Sequence, residues 1–527
     1  MIYGFEVRSI QSYILRSGKL KDMVGASELV NSLTGDLLKQ TLKDLGLKEG
    51  THLTYARRAG GALTIFFEQP SQAEDFRDLW TLRVQKRAPG LLFKNALVPL
   101  SNGVKAAWET LRLEMSADQN RPPANLPLSG PLIKRYIRTG VVATESQYNK
   151  PDENIFLDAA THAKRHMQKE DLADRFTPKD WQTKAHWPKI LVAEEGDDDN
   201  ESALLENRED GDYLALIHAD GNGLGQLLGT LKDELPDDPK VFAKCWYAFS
   251  KAVDHATARA VQMAIGAVVK DSHIVQGKSV MPIRPLILGG DDLTLLIHSE
   301  LALLFTETFL KNFENTTREE LANLTFNPGV DKLTACAGIV FLKPKMPFHQ
   351  VNRLCESLCT AAKKKSKKHL LADGHVPGSL IFHRLTAGFI DNWPDIVDGE
   401  LTTPDGQFLT MQPYSVADQP VGQIPALSDF LEFARVLNKT SRGAARELAR
   451  LAAAGDGHMA RALKRWQENM KKDDQGDLLD DLRVQLQALT KKDGTDSPAL
   501  FSEDGRSPLA DALILRAIGG GEHATQL

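Results

Sequence analysis

Residues 285–298 read PLILGGDDLTLLIH, and this stretch decides the fold of the region around it. Two apolar runs, Pro285–Leu288 and Leu293–His298, flank the motif Gly-Gly-Asp-Asp. Short apolar runs bounded by such residues are typical of strands, and glycine and aspartate accept the backbone angles of a tight turn. The stretch therefore predicts a β-hairpin with the Gly-Gly-Asp-Asp motif at its tip.

Further elements of the same unit lie on both sides of the hairpin. Tyr213–His218 is a short apolar strand pattern, and a glycine-rich turn and a long helical stretch at Pro239–Val269 follow it. After the hairpin, the apolar spacing predicts helix, strand, helix and strand, in that order, at Glu300–Phe313, Leu333–Phe341, Pro347–Lys368 and Ser379–His383. This order predicts a split βαβ sheet of the ferredoxin-like kind.

The beginning of the chain repeats this pattern. Apolar periodicity predicts a β-α-β-β-α-β unit with strands at Ile2–Val7, His52–Ala56, Ala62–Phe67 and Leu91–Val98. When the glycine pairs are aligned, Gly60-Gly61 lies opposite Gly289-Gly290, and the hairpin aspartates are missing from the first copy. Glu6 stands where the second copy carries Asp220. The repeat predicts two related palm units, of the type found in polymerases and cyclases, with the first stripped of its carboxylates.

Composition divides the chain into four regions of an α+β protein. We predict a first, degenerate palm at 1–118, an inter-palm insertion with an acidic linker at 119–210, a second palm at 211–390 and an all-helical C-terminal domain at 391–527. The insertion ends in the run Glu194–Glu201, which we interpret as a solvated linker because its charges are alike. Helical spacing in the last region is clearest in Leu427–Val436, Ala445–Ala454 and Leu478–Leu489.

The overall composition excludes several classes of protein. The 527 residues include 64 Lys+Arg and 70 Asp+Glu, a net charge of −6, so there is no global basic field for nucleic acid. We find no apolar run near the roughly 18 to 20 residues that span a bilayer, and no secretory signal at the N-terminus. The 4 cysteines form no CxxC pair. We expect a soluble cytoplasmic protein in a reducing compartment, with no membrane partner.

Three carboxylates are the candidates for chemistry. Asp220 ends one predicted strand, and Asp291 and Asp292 lie at the turn between two others, so a split βαβ sheet brings them to one end. Carboxylate oxygens are hard ligands, and Mg²⁺ or Mn²⁺ takes a few of them together with substrate phosphates. Two such ions about 3.5–4 Å apart activate a hydroxyl and stabilise a leaving pyrophosphate. We therefore predict that these aspartates bind metal and act in catalysis.

Glycines beside the carboxylates predict a nucleotide pocket. A Gly-rich turn follows Asp220 and leads into a helix, whose free amides favour a phosphate chain. The glycine pair of the hairpin lets a nucleotide approach the backbone. Taken alone, either motif is a routine turn; both together, each at a strand end, favour the metal–phosphate interpretation. The predicted nucleotide-binding residues are Gly221, Asn222, Gly223, Gly225, Gly289 and Gly290.

Lys363 is the predicted phosphate contact. It lies in a run of lysines at the end of the helix before Ser379–His383, and a lysine there can reach a triphosphate as a point charge. The alternative is a solvated helix end whose cations complement the helix dipole, which is our interpretation of the outer lysines. Cys355 and Cys359, four residues apart on this helix, are interpreted as packing residues. His218 is interpreted as structural.

These motifs resemble the large subunit of type III CRISPR–Cas effector complexes, the Cas-ten family, with its Cmr branch closest. The likeness covers roughly residues 1–115 and 211–385. In the first palm it rests on Val7–Ile14 and Lys19–Leu29; in the second it rests on Asp220 with its glycine turn, Gly289–Asp292, Leu333–Val340 and Ala362-Lys363. The combination is specific, whereas the hairpin motif alone is not.

The resemblance implies an antiviral defence enzyme that joins ATP into cyclic oligoadenylate messengers. Two ATP molecules would lie between the palms, and the first palm would bind the acceptor nucleotide or only complete the fold. Many family members begin with an HD nuclease domain, which we do not find here, so we expect no DNase activity. Family members often have a zinc knuckle between the palms. The corresponding stretch of this chain contains no cysteine, so we expect no zinc.

Two alternatives stay open. The chain could be a catalytically silent assembly and RNA-guide-binding subunit of a CRISPR effector complex, or a stand-alone cyclic-dinucleotide synthase like the GGDEF proteins. The intact set Asp220, Asp291 and Asp292 argues against a decayed site. Guide or target RNA would be held largely by partner subunits, given the net charge of −6. Base selectivity and product ring size are not readable from the sequence.

Overall fold

The first palm is a four-stranded antiparallel sheet covered by helices. The structure, a computed structural model, describes residues 1–120, 130–150, 153–167, 175–178, 187–192, 203–205, 213–269, 280–386, 392–454, 463–469, 476–491 and 500–519. The sheet order is β2-β3-β1-β4, with strands β1 (Ile2–Arg8), β2 (Leu53–Ala59), β3 (Ala62–Phe67) and β4 (Leu92–Val98). The helices are α1 (Ile10–Leu15), α2 (Leu20–Ser32), α3 (Leu38–Asp44), α4 (Pro70–Arg87) and α5 (Val104–Asn120), with a π-helical turn at Leu33–Leu37. This is the predicted ferredoxin-like order.

The described parts of the insertion dock on the first palm. Strand β5 (Ala143–Lys150) pairs with β6 (Glu153–Asp158), helix α6 (Ala159–Arg165) follows, and β7 (Ile190–Val192) pairs with β8 (Ala203–Leu205). Arg165 Nε donates to Asp22 Oδ1 at 2.7 Å, and Asp22 is fully buried on α2. A buried charge of this kind needs its partner, so the pair fixes α6 to the first palm. The run Glu194–Glu201 lies outside the described residues.

The second palm repeats the strand order of the first and adds two strands. Its sheet runs β10-β11-β9-β12-β13-β14, with strands β9 (Leu214–Gly221), β10 (Ile283–Gly289), β11 (Asp292–His298), β12 (Ala335–Leu342), β13 (Ser379–Arg384) and β14 (Tyr414–Ser415). Its helices are α7 (Leu224–Glu234), α8 (Pro239–Val268), α9 (Ala302–Ala322) and α10 (Phe348–Ser366). β13 lies parallel to β12, outside the four-stranded unit.

Helices cover both faces of this second sheet and determine where the site faces. Alternate residues of β9 point to opposite faces: Ala215, Ile217 and Ala219 join the core built with α8 and α9. Leu214 and Leu216 join the core built with α10. Asp220 continues this second set, so its side chain lies on the α10 face of the sheet.

The C-terminal part of the chain packs against the open edge of this sheet. Its described helices include α11 (Trp393–Glu400), α12 (Leu427–Asn438), α13 (Arg442–Ala453), α14 (Gly476–Thr490) and α15 (Leu509–Ala517). The region is largely helical as predicted, but it also contributes β14, which pairs with β13. Buried Asp511 of α15 holds the segment around β14, since its carboxylate accepts from Tyr414 Oη at 2.7 Å and Gln412 Nε2 at 2.8 Å. Gln412 Nε2 also donates to the carbonyl of Phe382 on β13 at 3.0 Å, which ties this segment to the sheet. Among the described helices, none has the length and apolarity to cross a membrane.

The two palms face each other with reciprocal packing. The long helix α8 of the second palm packs on β2 of the first, and α2 of the first palm packs on β10 of the second. Ser27 on α2 donates its hydroxyl to the carbonyl of Leu286 on β10. Each palm thus supplies a helix to the outer hairpin strand of the other, which brings the two hairpins together.

Candidate functional site

The strand register places two aspartates at the same end of the second sheet. Leu293 of β11 lies opposite Ala219 of β9, so the next pair along this antiparallel ladder is Asp292 and Asp220. On its other side, Asp220 lies opposite Cys336 of β12. Asp291 occupies the two-residue turn between β10 and β11. The structure therefore brings the three predicted carboxylates together.

Asp291 packs directly against the end of β9. A β-carbon built on Gly221 would lie 2.6 Å from Asp291 Oδ2, so a larger residue at 221 would displace this carboxylate. Burial together with the charge of nearby Asp220 raises the pKa of Asp291 to about 7. Two carboxylates this close favour sharing a proton or a cation.

Asp292 is the more strongly perturbed carboxylate. Burial and the charge of Asp220 raise the pKa of Asp292 to about 8. Its Oδ1 is buried without a hydrogen-bond partner, although His218 Nδ1 lies 3.3 Å away. The same ring nitrogen lies 3.1 Å from Thr294 Oγ1, and burial lowers the pKa of His218. A neutral imidazole leaves the negative charge of an ionised Asp292 uncompensated.

Lys363 reaches the site from α10. Its ammonium forms an ion pair with Asp220 and donates to the carbonyl of Gly221 at 2.7 Å. The predicted lysine thus lies at the carboxylates, whereas Lys364, Lys367 and Lys368 are exposed on the same helix end. One cation faces three carboxylates, so the site has room for further positive charge.

The glycine-rich turn after Asp220 is only partly an open cradle. Gly223 has φ of 73° and precedes the first residue of α7, and Gly225 has open space around its α-carbon. Asn222 is hydrogen-bonded to Thr334. Its side-chain Nδ2 donates to Thr334 Oγ1 at 3.0 Å, and its backbone N–H donates to the Thr334 carbonyl at 2.7 Å. Of the glycine-rich turn, the start of α7 is therefore the part that best suits a phosphate chain. Asn222 joins β9 to the segment before β12.

The two hairpin glycines have different surroundings. Gly290 has φ of 65°, and its carbonyl accepts from Thr257 Oγ1 of α8 at 2.6 Å. Gly289 ends β10 and faces the first palm: a β-carbon on Gly289 would lie 3.1 Å from the α-carbon of Gly60. The side of Gly289 predicted to face a nucleotide is therefore occupied by the other palm.

The hairpin register also shifts the alignment of the two palms by one residue. Ala59 pairs with Ala62 across the first turn, and Gly289 pairs with Asp292 across the second. Gly60 thus corresponds to Gly290, and Gly61 and Ala62 correspond to Asp291 and Asp292. The sequence alignment on the glycine pairs was wrong because the first turn uses both of its glycines, with φ of 58° and 74°. Only Glu6 keeps its predicted counterpart, Asp220.

The donor set fits a hard divalent cation that substrate would help to bind. Asp220, Asp291 and Asp292 offer carboxylate oxygens, one of which is buried and unpartnered. Within the described ranges, no group of three or more His, Cys, Asp or Glu side chains is arranged so that it could hold a metal ion by itself. A cation at these residues would therefore take its remaining ligands from substrate oxygens and water, as Mg²⁺ commonly does.

Sequence reasoning missed several residues of this neighbourhood. Thr257 supports the hairpin from α8, a contact between elements that no local motif signals. Thr294 lies across the ladder from His218. His218, interpreted from the sequence as structural, precedes Asp220 by two residues, so the period of a strand could have placed the two on one face.

Comparison with known proteins gives a family for the second palm and a fold for the chain. A family model for the second palm domain of Cas10/Cmr2 matches residues 213–372. Among solved structures, Csm1 of T. onnurineus is similar with a TM-score of 0.51 and 13% identity, over 98% of this chain and 69% of that chain. A Csm1–Csm4 cassette in complex with one ATP has a TM-score of 0.50 and 12% identity, over 99% and 69%. No curated protein matches.

A further Csm1–Csm4 cassette, in complex with cA3, has a TM-score of 0.50 and 13% identity, over 98% of this chain and 69% of that chain. At such identities the structural likeness establishes the fold. Together with the family model, it confirms the resemblance to the large subunit of type III CRISPR effector complexes.

Proposed function

We propose that this chain, a type III CRISPR large subunit with a Cas10/Cmr2 second palm, is a metal-dependent nucleotidyltransferase that converts ATP to cyclic oligoadenylate. The observation that carries this proposal is the convergence of Asp220, Asp291 and Asp292 at one sheet end. The raised pKa values of Asp291 and Asp292 support it, because they report negative charge that the chain itself leaves uncompensated. Similar folds bind one ATP and cA3 in their complexes.

The residues of the second palm have separate tasks in this proposal. Asp220, Asp291 and Asp292 hold Mg²⁺ or Mn²⁺, which when bound helps to activate a 3′-hydroxyl and to stabilise the leaving pyrophosphate. Lys363 exchanges part of its contact with Asp220 for a phosphate oxygen of the nucleotide. The amides at the start of α7, beside Gly225, bind the phosphate chain. Partial burial of Asp292 weakens the screening of these charges by water.

The first palm takes the acceptor nucleotide or completes the fold, and it does no metal chemistry. Glu6, its only counterpart to the three aspartates, already pairs with Lys94 at 2.8 Å and with Arg57 at 3.7 Å. The corresponding hairpin positions, Gly61 and Ala62, offer no ligand. Two palms of unequal chemistry support a reaction in which one hydroxyl attacks one activated triphosphate at a time.

The four domains of the chain also stand as proposals. We propose a degenerate palm at 1–118, an insertion with a linker at 119–210, a catalytic palm at 211–390 and a largely helical domain at 391–527. Other effector subunits hold the guide and target RNA, since the net charge of −6 gives this chain little attraction for RNA of its own. The insertion carries no zinc in this proposal.

The test is product analysis with the purified chain. The chain is incubated with each nucleoside triphosphate and Mg²⁺ or Mn²⁺, and the products are resolved by mass spectrometry. We expect cyclic adenylates from ATP, and none from the double variant Asp291→Ala/Asp292→Ala. Asp233→Ala removes a carboxylate that is 71% exposed on neighbouring α7 and serves as the matched control. Product that persists in the double variant would contradict the proposal, and GTP use with a cyclic dinucleotide product would favour the GGDEF-like alternative.

A second candidate, a silent assembly subunit, is favoured by one observation. In the described residues no complete metal site is preformed. Thermal unfolding with ATP and a divalent cation separates the two: a ligand at 100 times its dissociation constant stabilises by about 2.7 kcal/mol. Stabilisation that needs both ATP and the cation, without product, indicates a gated enzyme that awaits its partners. Neither stabilisation nor product indicates the assembly subunit.

A further inference from the structure

The two glycines of the Gly-Gly-Asp-Asp motif serve different purposes. We propose that Gly289 is a spacing contact between the palms: it is glycine because the α-carbon of Gly60 lies against it, and not because the hairpin or the nucleotide requires it. Gly290 is the glycine of the turn, with its φ of 65°. The proposal rests on the proposed function, since it concerns how two nucleotides bound between the palms are held at reacting distance.

The first palm supplies an internal control for the hairpin. By the register of the two turns, Ala59 corresponds to Gly289 and Gly60 corresponds to Gly290. A hairpin of this kind therefore accommodates a methyl group at the residue before the turn. No positive φ occurs at Gly289, so alanine meets no backbone strain there. The conformation of the hairpin therefore does not explain why residue 289 is glycine.

The contact across the palms does explain it. A β-carbon on Gly289 would lie 3.1 Å from the α-carbon of Gly60, with no other atom within 4 Å. In reverse, a β-carbon on Gly60 would lie 3.3 Å from the α-carbon of Gly289. Both neighbours are backbone atoms, which cannot rotate away as a flexible side chain can. An added methyl group must therefore move one hairpin relative to the other.

Both hairpins are tied to their surroundings, so the displacement is passed to the palms. Thr257 on α8 holds the carbonyl of Gly290, and α8 itself packs on β2 of the first palm. Ser27 on α2 of the first palm holds the carbonyl of Leu286 on β10. These ties join each hairpin to the opposite palm, and close-packed elements transmit a shift of a few tenths of an ångström.

The consequence is specific for bond formation between two nucleotides. The 3′-oxygen and the phosphorus that it attacks need near-contact alignment, and a misplacement of about 1 Å can cost about 10²-fold in rate. The binding of one ATP to the second palm depends on its own carboxylates, Lys363 and α7, all on one side of the contact. Gly289 is thus a positioning residue: its loss lowers kcat and leaves the affinity for a single nucleotide nearly unchanged.

The experiment compares Gly289→Ala with two controls. Gly266→Ala adds the same methyl group at an exposed position of α8, where nothing lies within 4 Å, and Ala59→Gly gives the first hairpin the glycine of the second. We expect Gly289→Ala to lower the rate of the first 3′–5′ bond about 3- to 10-fold, because the displacement is a fraction of 1 Å. We expect its affinity for a non-hydrolysable ATP analogue to stay within about twofold, and its melting temperature to change little. Both controls should behave as the wild type.

Three outcomes would overturn the inference: full activity of Gly289→Ala, a loss of analogue affinity that matches the loss of rate, or equal losses in Gly266→Ala. If the wild-type chain makes no product under any condition, the proposed function fails, and the spacing contact is tested without turnover. Crystal structures of the wild type and of Gly289→Ala then decide. A larger separation of residues 60 and 289 with unchanged hairpins supports the contact, and an unchanged separation contradicts it.

Discussion

The ends of the two hairpins fill the same space in opposite ways. In the second palm, the carboxylate of Asp291 packs against Gly221, where a β-carbon would lie 2.6 Å from Oδ2. In the first palm, the corresponding pair is Gly61 and Val7, and a β-carbon on Gly61 would lie 3.1 Å from Val7 Cγ2. A large residue faces a glycine in both palms, but the large residue has changed strands and changed from a carboxylate to a hydrocarbon. The first palm did not simply lose its ligands; their space is filled.

The two palms also differ in the number of cations that pair with the carboxylates at their hairpins. Glu6 of the first palm pairs with Lys94, directly opposite on β4, and with Arg57. In the second palm the position of Lys94 is taken by Cys336, and the cation comes instead from Lys363 on a helix. A carboxylate held between two cations of its own sheet has little attraction left for a metal ion. Three carboxylates that share one cation, as in the second palm, keep their attraction for a metal ion.

Among the single substitutions compared between the palms, the largest expected effect is the loss of Lys363. We expect Lys363→Met to lower the rate of product formation about 10²-fold, because a positioned cation beside developing phosphate charge is worth this much. Lys364→Met, the exposed next residue on the same helix, is the control and should change the rate by less than twofold. Steady-state rates across ATP concentrations give the answer. Equal effects of the two substitutions would show that the ion pair with Asp220 has no part in the reaction.

The filled space of the first palm can be tested by a double-mutant cycle. We expect Gly61→Asp to lower the free energy of unfolding by about 2–4 kcal/mol, from contact with Val7 and from the φ of 74°. Val7→Gly loses a buried side chain, about 1.5–3 kcal/mol.

The double variant should lose less than the sum of the two, by about 1 kcal/mol or more, because the valine has left the space that the aspartate enters. Urea unfolding of the four proteins measures this coupling. Strict additivity would mean that Val7 and position 61 do not compete for one space.

The buried charge of Asp292 predicts a stability that depends on pH. Its pKa is raised to about 8 in the folded chain, so ionisation penalises folding increasingly as the pH rises from about 4 to about 8. Without metal, we expect Asp292→Asn to be more stable than the wild type by about 1–3 kcal/mol at pH 8, a figure reduced for its 35% side-chain exposure, and equally stable near pH 4. Thermal unfolding in chelator across this range measures it. A variant less stable than the wild type at pH 8 would contradict the burial of uncompensated charge.

The smallest expected effect is the change in stability on substitution of Glu6, the first-palm counterpart of Asp220. Glu6→Gln breaks partly exposed ion pairs with Lys94 and Arg57, so we expect a loss of stability of at most about 1 kcal/mol at pH 8. The sign is opposite to that of Asp292→Asn in the same unfolding experiment. A gain of stability in Glu6→Gln would remove the electrostatic distinction between the palms.

The sequence predicted the site better than it predicted the contacts around it. The hairpin, the strand order and the nearness of Asp220 to the hairpin aspartates follow from apolar periodicity and from the topology of a split βαβ unit. The position of the lysine run before a strand predicts that one lysine reaches the site, and the resemblance of Ala362-Lys363 to the family motif points to Lys363. These inferences needed only the course of one palm.

The sequence could not predict the contacts between separate strands and helices. The one-residue shift between the palms depends on which residues form each turn, and Gly60-Gly61 resembles Gly289-Gly290 in letters but not in register. The contact of Gly60 with Gly289 joins residues far apart in the chain, and no local pattern reports it. Asn222, predicted to bind nucleotide, donates its Nδ2 to Thr334, a partner that only the packed sheet brings near.

The most direct test of the account compares the two palms in one assay. ATP and Mn²⁺ are added to the wild type, to Glu6→Ala and to Asp291→Ala/Asp292→Ala, each with its partner subunits if the chain alone is silent, and the products are quantified by mass spectrometry. The account predicts cyclic oligoadenylate from the wild type and from Glu6→Ala, and none from the double variant. Product that survives in the double variant but disappears in Glu6→Ala would contradict it and assign the chemistry to the first palm.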